Sequence, residues 1–111
     1  MPPVNIDELN EIMDNGTELI QECFAEFLMD YPGLMADLTA AVTSLDFDEI
    51  DNIAHKFKGI LRYLAAEPAA TAAQKIETAG RNQDPEHLDG KISALKAECK
   101  KVILYIDELP S

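Results

Sequence analysis

Apolar residues recur at the spacing of amphipathic helices along almost the whole chain, and Pro, Gly and Asp or Asn residues interrupt them. The pattern predicts helices over 5–14, 17–31, 32–44, 47–66, 68–79 and 84–109, with Pro32-Gly33 ending or kinking the second and Pro68 at the first position of the fifth. Because the connections are short, neighbouring helices must run antiparallel. We therefore predict an all-α fold, an antiparallel up-down four-helix bundle with one or two short additional N-terminal helices. The chain is expected to form one domain, 1–111, with the core bundle over about 17–109.

A few residues with strong positional preferences mark the predicted helix boundaries. Thr17 and Asp46, with Ser44 as an alternative to Asp46, are expected N-caps, because their side-chain oxygens can accept a hydrogen bond from a first-turn amide. Gly80 is expected to end the alanine-rich helix. Asp84-Pro85 is a start signal for the last helix, with an N-cap followed by a proline at the first helical position.

The helix predicted over 47–66 places a histidine on its polar side. At about 100° per residue, its apolar positions cluster on one side of the helical wheel, and His55 falls almost opposite their centre. These apolar positions are Ile50, Ile53, Ala54, Phe57, Ile60, Leu61 and Leu64. The residues expected beside His55 on the outer side are Asp48, Asp51, Asn52, Lys58, Gly59 and Arg62. The periodicity therefore predicts an exposed imidazole among charged neighbours.

The charge distribution adds a second signal at the same place. The net charge of −12 argues against nucleic acid and anionic membranes as partners, because binding to both requires positive charge. Thirteen acidic residues and no Lys or Arg precede Lys56, and Lys58 and Arg62 follow it closely. A positive spot on an acidic body focuses small anions. A solvated helix face would account for the same three cations equally well.

These residue types suit a phosphoryl-carrying site. A neutral imidazole is a nucleophile near neutral pH, and phosphoryl transfer mainly requires positioning and compensating positive charge. Lys58 lies one turn after His55, where its ammonium could reach a phosphate, and Lys56 and Arg62 could add to the positive field. Gly59 costs the helix about 1 kcal/mol relative to Ala, so it requires a reason. Close approach of a partner's active site is one, and relief of crowding against a neighbouring helix is the alternative.

The remaining candidate residues have ordinary structural interpretations. Cys23 and Cys99 lie in apolar helical patterns without metal-binding spacing, so we expect small core residues in a reducing compartment. No apolar run approaches the roughly 18 residues of a membrane span, and the start of the chain lacks a signal sequence, so a soluble, cytoplasmic protein is expected. His87 has no basic companion and is expected to be a surface residue, and no metal site is predicted.

Three short segments resemble the signature of histidine-containing phosphotransfer (Hpt) domains. They are Ala54-His55-Lys56-Phe57-Lys58-Gly59, Leu64-Ala65-Ala66 and Ile76-Glu77. In that family a helical His is followed three and four positions later by Lys-Gly, then by a Leu-Gly-Ala-like step, then by an aliphatic-Glu pair on the next helix. The resemblance covers most of the chain, since the leading helices, the proline and the aspartate before the histidine helix also fit.

The resemblance implies a function and a role for each residue of the His-x-x-Lys-Gly element. His55 would accept a phosphoryl group on a ring nitrogen, Lys58 would steady the phosphate, and Gly59 would keep the docking surface clear. The protein would act as a phosphoryl carrier in a two-component phosphorelay, without kinase or phosphatase activity of its own. In agreement, the sequence contains neither a GxxxxGK[ST] phosphate loop nor a kinase glycine loop.

The resemblance also implies a partner. Hpt domains exchange phosphoryl groups with the aspartate of a receiver domain, here of a response regulator or a hybrid sensor kinase. The receiver supplies Mg²⁺, so no resident cofactor is expected, and we expect a monomer. The receiver is expected to dock on the face around His55 that contains Lys56, Arg62, Tyr63, Asp51 and Asn52.

Two departures from the family pattern bear on docking. Arg62-Tyr63 follow where small or polar residues are usual, and Ala65 replaces the glycine of the Leu-Gly-Ala step. Two other interpretations remain open from the sequence. One is a non-catalytic helical adaptor that binds a signalling partner without being phosphorylated, and the other is a structural bundle or dimer built on the apolar seam over 88–109.

Overall fold

The computed structural model describes residues 3–12 and 16–108, and they form five helices without a strand. The helices are α1 (Ile6–Ile12), α2 (Thr17–Thr43), α3 (Phe47–Tyr63), α4 (Glu67–Arg81) and α5 (Leu88–Asp107). Contacts of α2 with α3, α3 with α4, α4 with α5 and α5 with α2 close a four-helix bundle, and α3 and α4 pack most extensively. The predicted all-α bundle with a short N-terminal helix is confirmed. Within the described ranges, no helix has the length and apolar character needed to cross a membrane.

The prediction of separate helices on the two sides of Pro32 is wrong, because α2 is one helix of 27 residues with Pro32 inside it. An interior proline costs a helix about 3 kcal/mol. Pro32 and Gly33 lie on the exposed side of α2, so the lost backbone hydrogen bond faces solvent. The buried apolar side chains continue on one side of the helix before and after the proline; they are Ile20, Phe24, Phe27, Leu34, Met35, Leu38, Ala41 and Val42. Their burial offsets the cost of the proline.

Three helices end in the same backbone motif, with a residue other than glycine in the left-handed conformation. These residues are Leu45, Ala65 and Gln83, with φ of 53°, 56° and 53°. Each motif has the two backbone hydrogen bonds of a Schellman ending, in which the left-handed residue and the residue after it donate their amides to carbonyls of the last helical turn. The amides of Leu45 and Asp46 donate to Val42 and Ala41, those of Ala65 and Ala66 to Arg62 and Leu61, and those of Gln83 and Asp84 to Gly80 and Ala79. The histidine helix therefore ends at Tyr63, three residues before the predicted end.

The other predicted boundaries are partly confirmed. Asp46 is the N-cap of α3, and its side chain accepts a hydrogen bond of 3.3 Å from the amide of Glu49. The N-cap of α2 is Gly16, and not Thr17. The last helix begins at Leu88 instead of near Asp84, because the side chain of Asp84 accepts a hydrogen bond from the Glu86 amide within a separate turn. The predicted end of the first helix over 13–15 and the predicted last residue Leu109 lie outside the described residues.

The core is one cluster of aliphatic and aromatic side chains between the four long helices. Its largest fully buried members include Phe27, Phe57, Leu61 and Leu95. Cys99 is fully buried, as predicted, whereas Cys23 is only half-buried, and both are free thiols. His55 is exposed and is not part of this core.

Candidate functional site

His55 lies on the solvent side of α3, as the periodicity predicts. Its side chain is 70% exposed. Four fully buried residues anchor the opposite side of the helix: Ile50, Ala54, Phe57 and Leu61. The imidazole is therefore presented on a rigid element without contributing to the core.

A buried carboxylate on α4 holds the inner nitrogen of the histidine ring. Nδ1 of His55 lies 2.5 Å from Oε2 of Glu77, whose side chain is 3% exposed. Oε1 of the same carboxylate accepts a hydrogen bond of 2.6 Å from Nζ of Lys58. Glu77 is the single buried charged residue in the part of the chain that the structure describes. A buried carboxylate is tolerated when both of its oxygens are paired in this way.

The environment of Glu77 keeps its carboxylate ionised. Burial by itself would raise the pKa of Glu77, but the hydrogen bonds from Lys58 and His55 and the charges of these two residues outweigh burial and lower the pKa below its usual value. An ionised carboxylate only accepts hydrogen bonds. The proton between Glu77 and His55 therefore belongs to Nδ1 of the imidazole.

Gly80 explains how α4 comes close enough to bring Glu77 to the histidine. A Cβ added at Gly80 would lie 2.7 Å from the backbone nitrogen of Asp51 and 3.0 Å from the carbonyl oxygen of Phe47. Gly80 does not have a positive φ, so it is required for space and not for backbone conformation. The prediction that Gly80 ends the helix is wrong, since α4 continues to Arg81. Gly80 instead permits the close approach of two helix backbones one turn from Glu77.

Lys58 is not on the outer face where the sequence places it. Its side chain is only 14% exposed and turns toward α4, because the buried carboxylate of Glu77 binds its ammonium group. The predicted neighbours of His55 on this side are also paired with α4. Arg62 donates a hydrogen bond of 3.0 Å to the side-chain oxygen of Gln74, and Asp51 lies 3.6 Å from Nη2 of Arg81. Sequence reasoning missed these partners on α4, and the aliphatic-Glu pair was the single signal that pointed to Glu77.

The other side of α3 borders an open groove against α2. The groove has a volume of about 540 Å³ and is lined by Cys23, Glu26, Phe27 and Asp30 of α2 and by Lys56, Gly59, Ile60, Tyr63 and Leu64 of α3 and its C-cap. Two predicted docking residues, Lys56 and Tyr63, thus lie in it, while Asn52 is exposed nearer the start of α3. Among the described atoms, a Cβ at Gly59 would meet nothing within 4 Å, so crowding against a neighbouring helix does not explain this glycine.

His87 offers a contrast to His55 within the same chain. It is exposed and has a positive φ of 57° just before α5. Its side chain makes no hydrogen bond or ion pair with any residue in the described ranges. His87 therefore lacks the oriented ring of His55, in agreement with its prediction as a surface residue.

Comparison with known proteins places the chain in a family. The Hpt domain model matches residues 22–104. The crystal structure of histidine-containing phosphotransfer protein B (HptB) from Pseudomonas aeruginosa PAO1 superimposes with a TM-score of 0.89 at 19% sequence identity, over 96% of this chain and 93% of that chain. No curated protein matches the chain. The structural likeness shows a shared fold, and the family match shows that this chain belongs to the Hpt domain family, which carries out histidine phosphotransfer with receiver domains in phosphorelay signalling.

Proposed function

We propose that His55 is the residue that carries the phosphoryl group, and that it exchanges this group with the aspartate of a receiver domain in a response regulator or a hybrid sensor kinase. The observation that carries the proposal is the exposed imidazole with its inner nitrogen bonded to a buried carboxylate. Because Nδ1 carries the proton, the lone pair is on Nε2, the ring nitrogen that does not face Glu77.

The proposed transfer uses the two ring nitrogens in different roles. The lone pair of Nε2 attacks the phosphorus of the receiver's aspartyl phosphate, an N–P bond forms, and the P–O bond to the aspartate breaks to leave a carboxylate. The proton stays on Nδ1 throughout, so the ring becomes cationic, and the ionised Glu77 beside it stabilises that charge. The reverse transfer follows the same steps backward. We also propose that the working unit is a monomer.

Lys58 is proposed to act chiefly through Glu77. Its ammonium neutralises the buried carboxylate that orients His55, and its low exposure limits its contact with a phosphoryl group as long as this ion pair persists. Mg²⁺ is proposed to come with the receiver. No cluster of three or more His, Cys, Asp or Glu side chains suited to a metal ion occurs in residues 3–12 and 16–108, and both oxygens of the carboxylate nearest to His55 are already bound, one by Nδ1 of His55 and the other by the ammonium of Lys58.

The receiver is proposed to dock over the α2/α3 groove, with Gly59 leaving room next to the histidine. Gly59 is one turn after His55 and lines the groove with Lys56 and Tyr63. Of the predicted docking residues, Asp51 and Arg62 instead contact α4, so we place them at the edge of the docking face. A cytoplasmic location is also proposed, and the two free cysteines support a reducing compartment.

Phosphoramidate, a small phosphoryl donor, provides a test that requires no receiver. We expect the protein to gain one acid-labile, base-stable phosphoryl group by intact mass, and His55→Gln to gain none. The matched control is His87→Gln, which removes the other histidine and should label normally. A label that persists in His55→Gln would overturn the assignment.

A second step separates the relay from a binding adaptor. The phosphorylated protein is mixed with purified receiver domains and Mg²⁺, and the phosphoryl group is followed on both chains. Loss of the label from His55 together with gain on a receiver is the expected result. Binding of a receiver to a protein that phosphoramidate never labels would favour the adaptor.

A further inference from the structure

Arg81 is a cation beside His55 that is held much more loosely than Lys58. Its side chain is 64% exposed, and both of its ion-pair contacts, with Asp51 and Glu77, are long at 3.6 Å. Lys58 is 14% exposed and bonded to Glu77 at 2.6 Å. Of these two cations, Arg81 can therefore leave its present partners at lower cost.

The position of Arg81 brings it within reach of the histidine ring. It lies one turn after Glu77 on α4, and its Nη2 contacts Oε2, the same oxygen that binds Nδ1 of His55. This oxygen is 2.5 Å from Nδ1 and 3.6 Å from Nη2, so the two nitrogens are separated by no more than the sum of these distances, roughly 6 Å. The flexible, exposed arginine side chain can cover the remaining distance to a group on the outer ring nitrogen.

Phosphorylation of His55 would reverse the balance of charges around Arg81. A phosphoryl group on Nε2 brings negative charge and several acceptor oxygens into the space beside the ring, and a guanidinium binds such oxygens in pairs. The phosphorylated ring, which keeps its proton on Nδ1, becomes cationic next to Glu77. The new positive charge compensates Glu77 as Arg81 moves away.

From these contacts we infer that Arg81 is the phosphoryl-binding cation of phosphorylated His55, moving from Asp51 and Glu77 onto the phosphoryl oxygens while Lys58 stays bonded to Glu77. The inference rests on the proposed function of His55. It assigns the role of holding phosphate to Arg81, a residue outside the His-x-x-Lys-Gly element, and leaves Lys58 the role of keeping Glu77 ionised.

The test is a pH titration of the phosphorylated protein followed by ³¹P NMR. The protein is phosphorylated with phosphoramidate, whose P–N bond breaks as the Nε2–P bond forms and ammonia leaves. A guanidinium in contact with the phosphoryl group favours its more highly charged form, so Arg81→Ala should raise the titration midpoint by about one pH unit. Arg81→Lys should have an intermediate midpoint, since a lysine supplies the charge without the paired donors.

Two further variants make the test specific to Arg81. Arg62 is an arginine on the same face of α3 as His55, but it lies two turns and about 10 Å further along the helix. Because of this distance, Arg62→Ala should leave the titration midpoint unchanged. Lys58→Met removes a charge that contacts Glu77 and not the phosphoryl group, so in molecules that remain folded by circular dichroism it should raise the midpoint less than Arg81→Ala does. An unchanged midpoint in Arg81→Ala, or a larger rise in Lys58→Met than in Arg81→Ala, would overturn the inference. A protein that phosphoramidate does not label at His55 would overturn the proposed function itself, which separates the two failures.

Discussion

The two sides of α3 are built in opposite ways. Toward α4, the backbones approach so closely that Gly80 has no room for a Cβ, and a fully buried carboxylate, Glu77, binds two side chains of α3. Toward α2, the surface is an open groove beside Gly59, where a Cβ would meet nothing within 4 Å. His55 lies on the exposed side of the same helix, between the closed α4 side and the open α2 side.

This difference assigns separate tasks to the two sides. The α4 side fixes the orientation and tautomer of the imidazole, which requires rigid packing and paired charges. The α2 side leaves space in which another protein can approach the ring. Two glycines in neighbouring helices thus differ in their surroundings, since Gly80 is needed for helix packing, whereas a Cβ at Gly59 would meet no other atom and Gly59 is proposed to leave room for a partner.

Removing Glu77 should have the largest effect on this arrangement. Glu77→Ala leaves the ammonium of Lys58 without its partner in a largely buried position, and we expect a loss of about 3 kcal/mol in the free energy of unfolding. Labelling of His55 by phosphoramidate should also slow, because the ring loses the group that fixes its tautomer. Urea unfolding and labelling rates measure the two effects. A variant with unchanged stability would mean that the α4 side is not held by this carboxylate.

The same carboxylate predicts a dependence of stability on pH. The pKa of Glu77 is lower in the folded protein, so its ionised form adds stability above the unfolded pKa of about 4.3, and this stability is lost as the pH falls through the folded pKa. Glu77→Gln lacks this contribution. The difference in unfolding free energy between wild type and Glu77→Gln should therefore shrink as the pH is lowered from about 5. A constant difference would contradict the role of ionisation.

Gly80→Ala tests the close contact between α3 and α4. Gly80→Ala places a methyl group 2.7 Å from a backbone nitrogen and should destabilise the protein by about 2 kcal/mol, because two packed helices must separate. Chemical unfolding measures the loss of stability. The NMR signals of the His55 ring should also change, because Glu77 shifts when the two helices separate. A neutral Gly80→Ala would show that the contact between α3 and α4 relaxes easily.

Gly59→Ala should raise the free energy of unfolding, whereas Gly80→Ala lowers it, and its effect should be smaller. It removes the helix penalty of glycine without meeting another atom, so we expect a gain of up to about 1 kcal/mol. Labelling by phosphoramidate should be unchanged. The bulky Gly59→Phe should also fold, but it should slow transfer to a receiver while small-donor labelling stays normal. Loss of the fold in Gly59→Phe would instead assign this glycine to packing.

The smallest expected effect is on the reactivity of the two cysteines. Burial raises the pKa of the Cys99 thiol to about 12, so this core thiol should react with a thiol reagent only after unfolding. Cys23 lines the groove, and burial and the charges of Glu26 and Glu22 raise its pKa, so it should react slowly in the folded protein. A bound receiver should protect Cys23 if it docks over the groove. Equal reactivity of Cys23 with and without a bound receiver would place docking elsewhere.

The sequence predicts local features of this fold better than features that depend on helix pairing. The 3.6-residue period of α3 was sufficient to place His55 outward, because the alternation of apolar and polar positions is regular there. The breaker rules failed at Pro32 and Gly80. Burial on both sides of Pro32 outweighs its cost to the helix, and residues other than glycine terminate the helices at Leu45, Ala65 and Gln83.

The same contrast holds for the candidate site. The sequence of α3 alone indicates the proposed nucleophile, His55, whereas the orientation of its ring depends on α4. A glutamate in an alanine-rich helix carries no sign that it is buried, because its burial is decided by how closely α3 and α4 approach. Lys58 was misplaced for this reason: the wheel puts its backbone on the polar side, but the carboxylate of Glu77 draws its side chain inward.

If Glu77 holds the proton on Nδ1 of His55, Nε2 is the nitrogen that accepts the phosphoryl group. Both nitrogens can be followed in long-range ¹H–¹⁵N NMR spectra of ¹⁵N-histidine-labelled protein, recorded at about pH 8.5 before and after treatment with phosphoramidate. We predict a protonated Nδ1 before treatment and coupling of phosphorus to Nε2 of His55 afterwards. Phosphorus on Nδ1 of His55, or on His87, would show that Glu77 does not select the phosphorylated nitrogen.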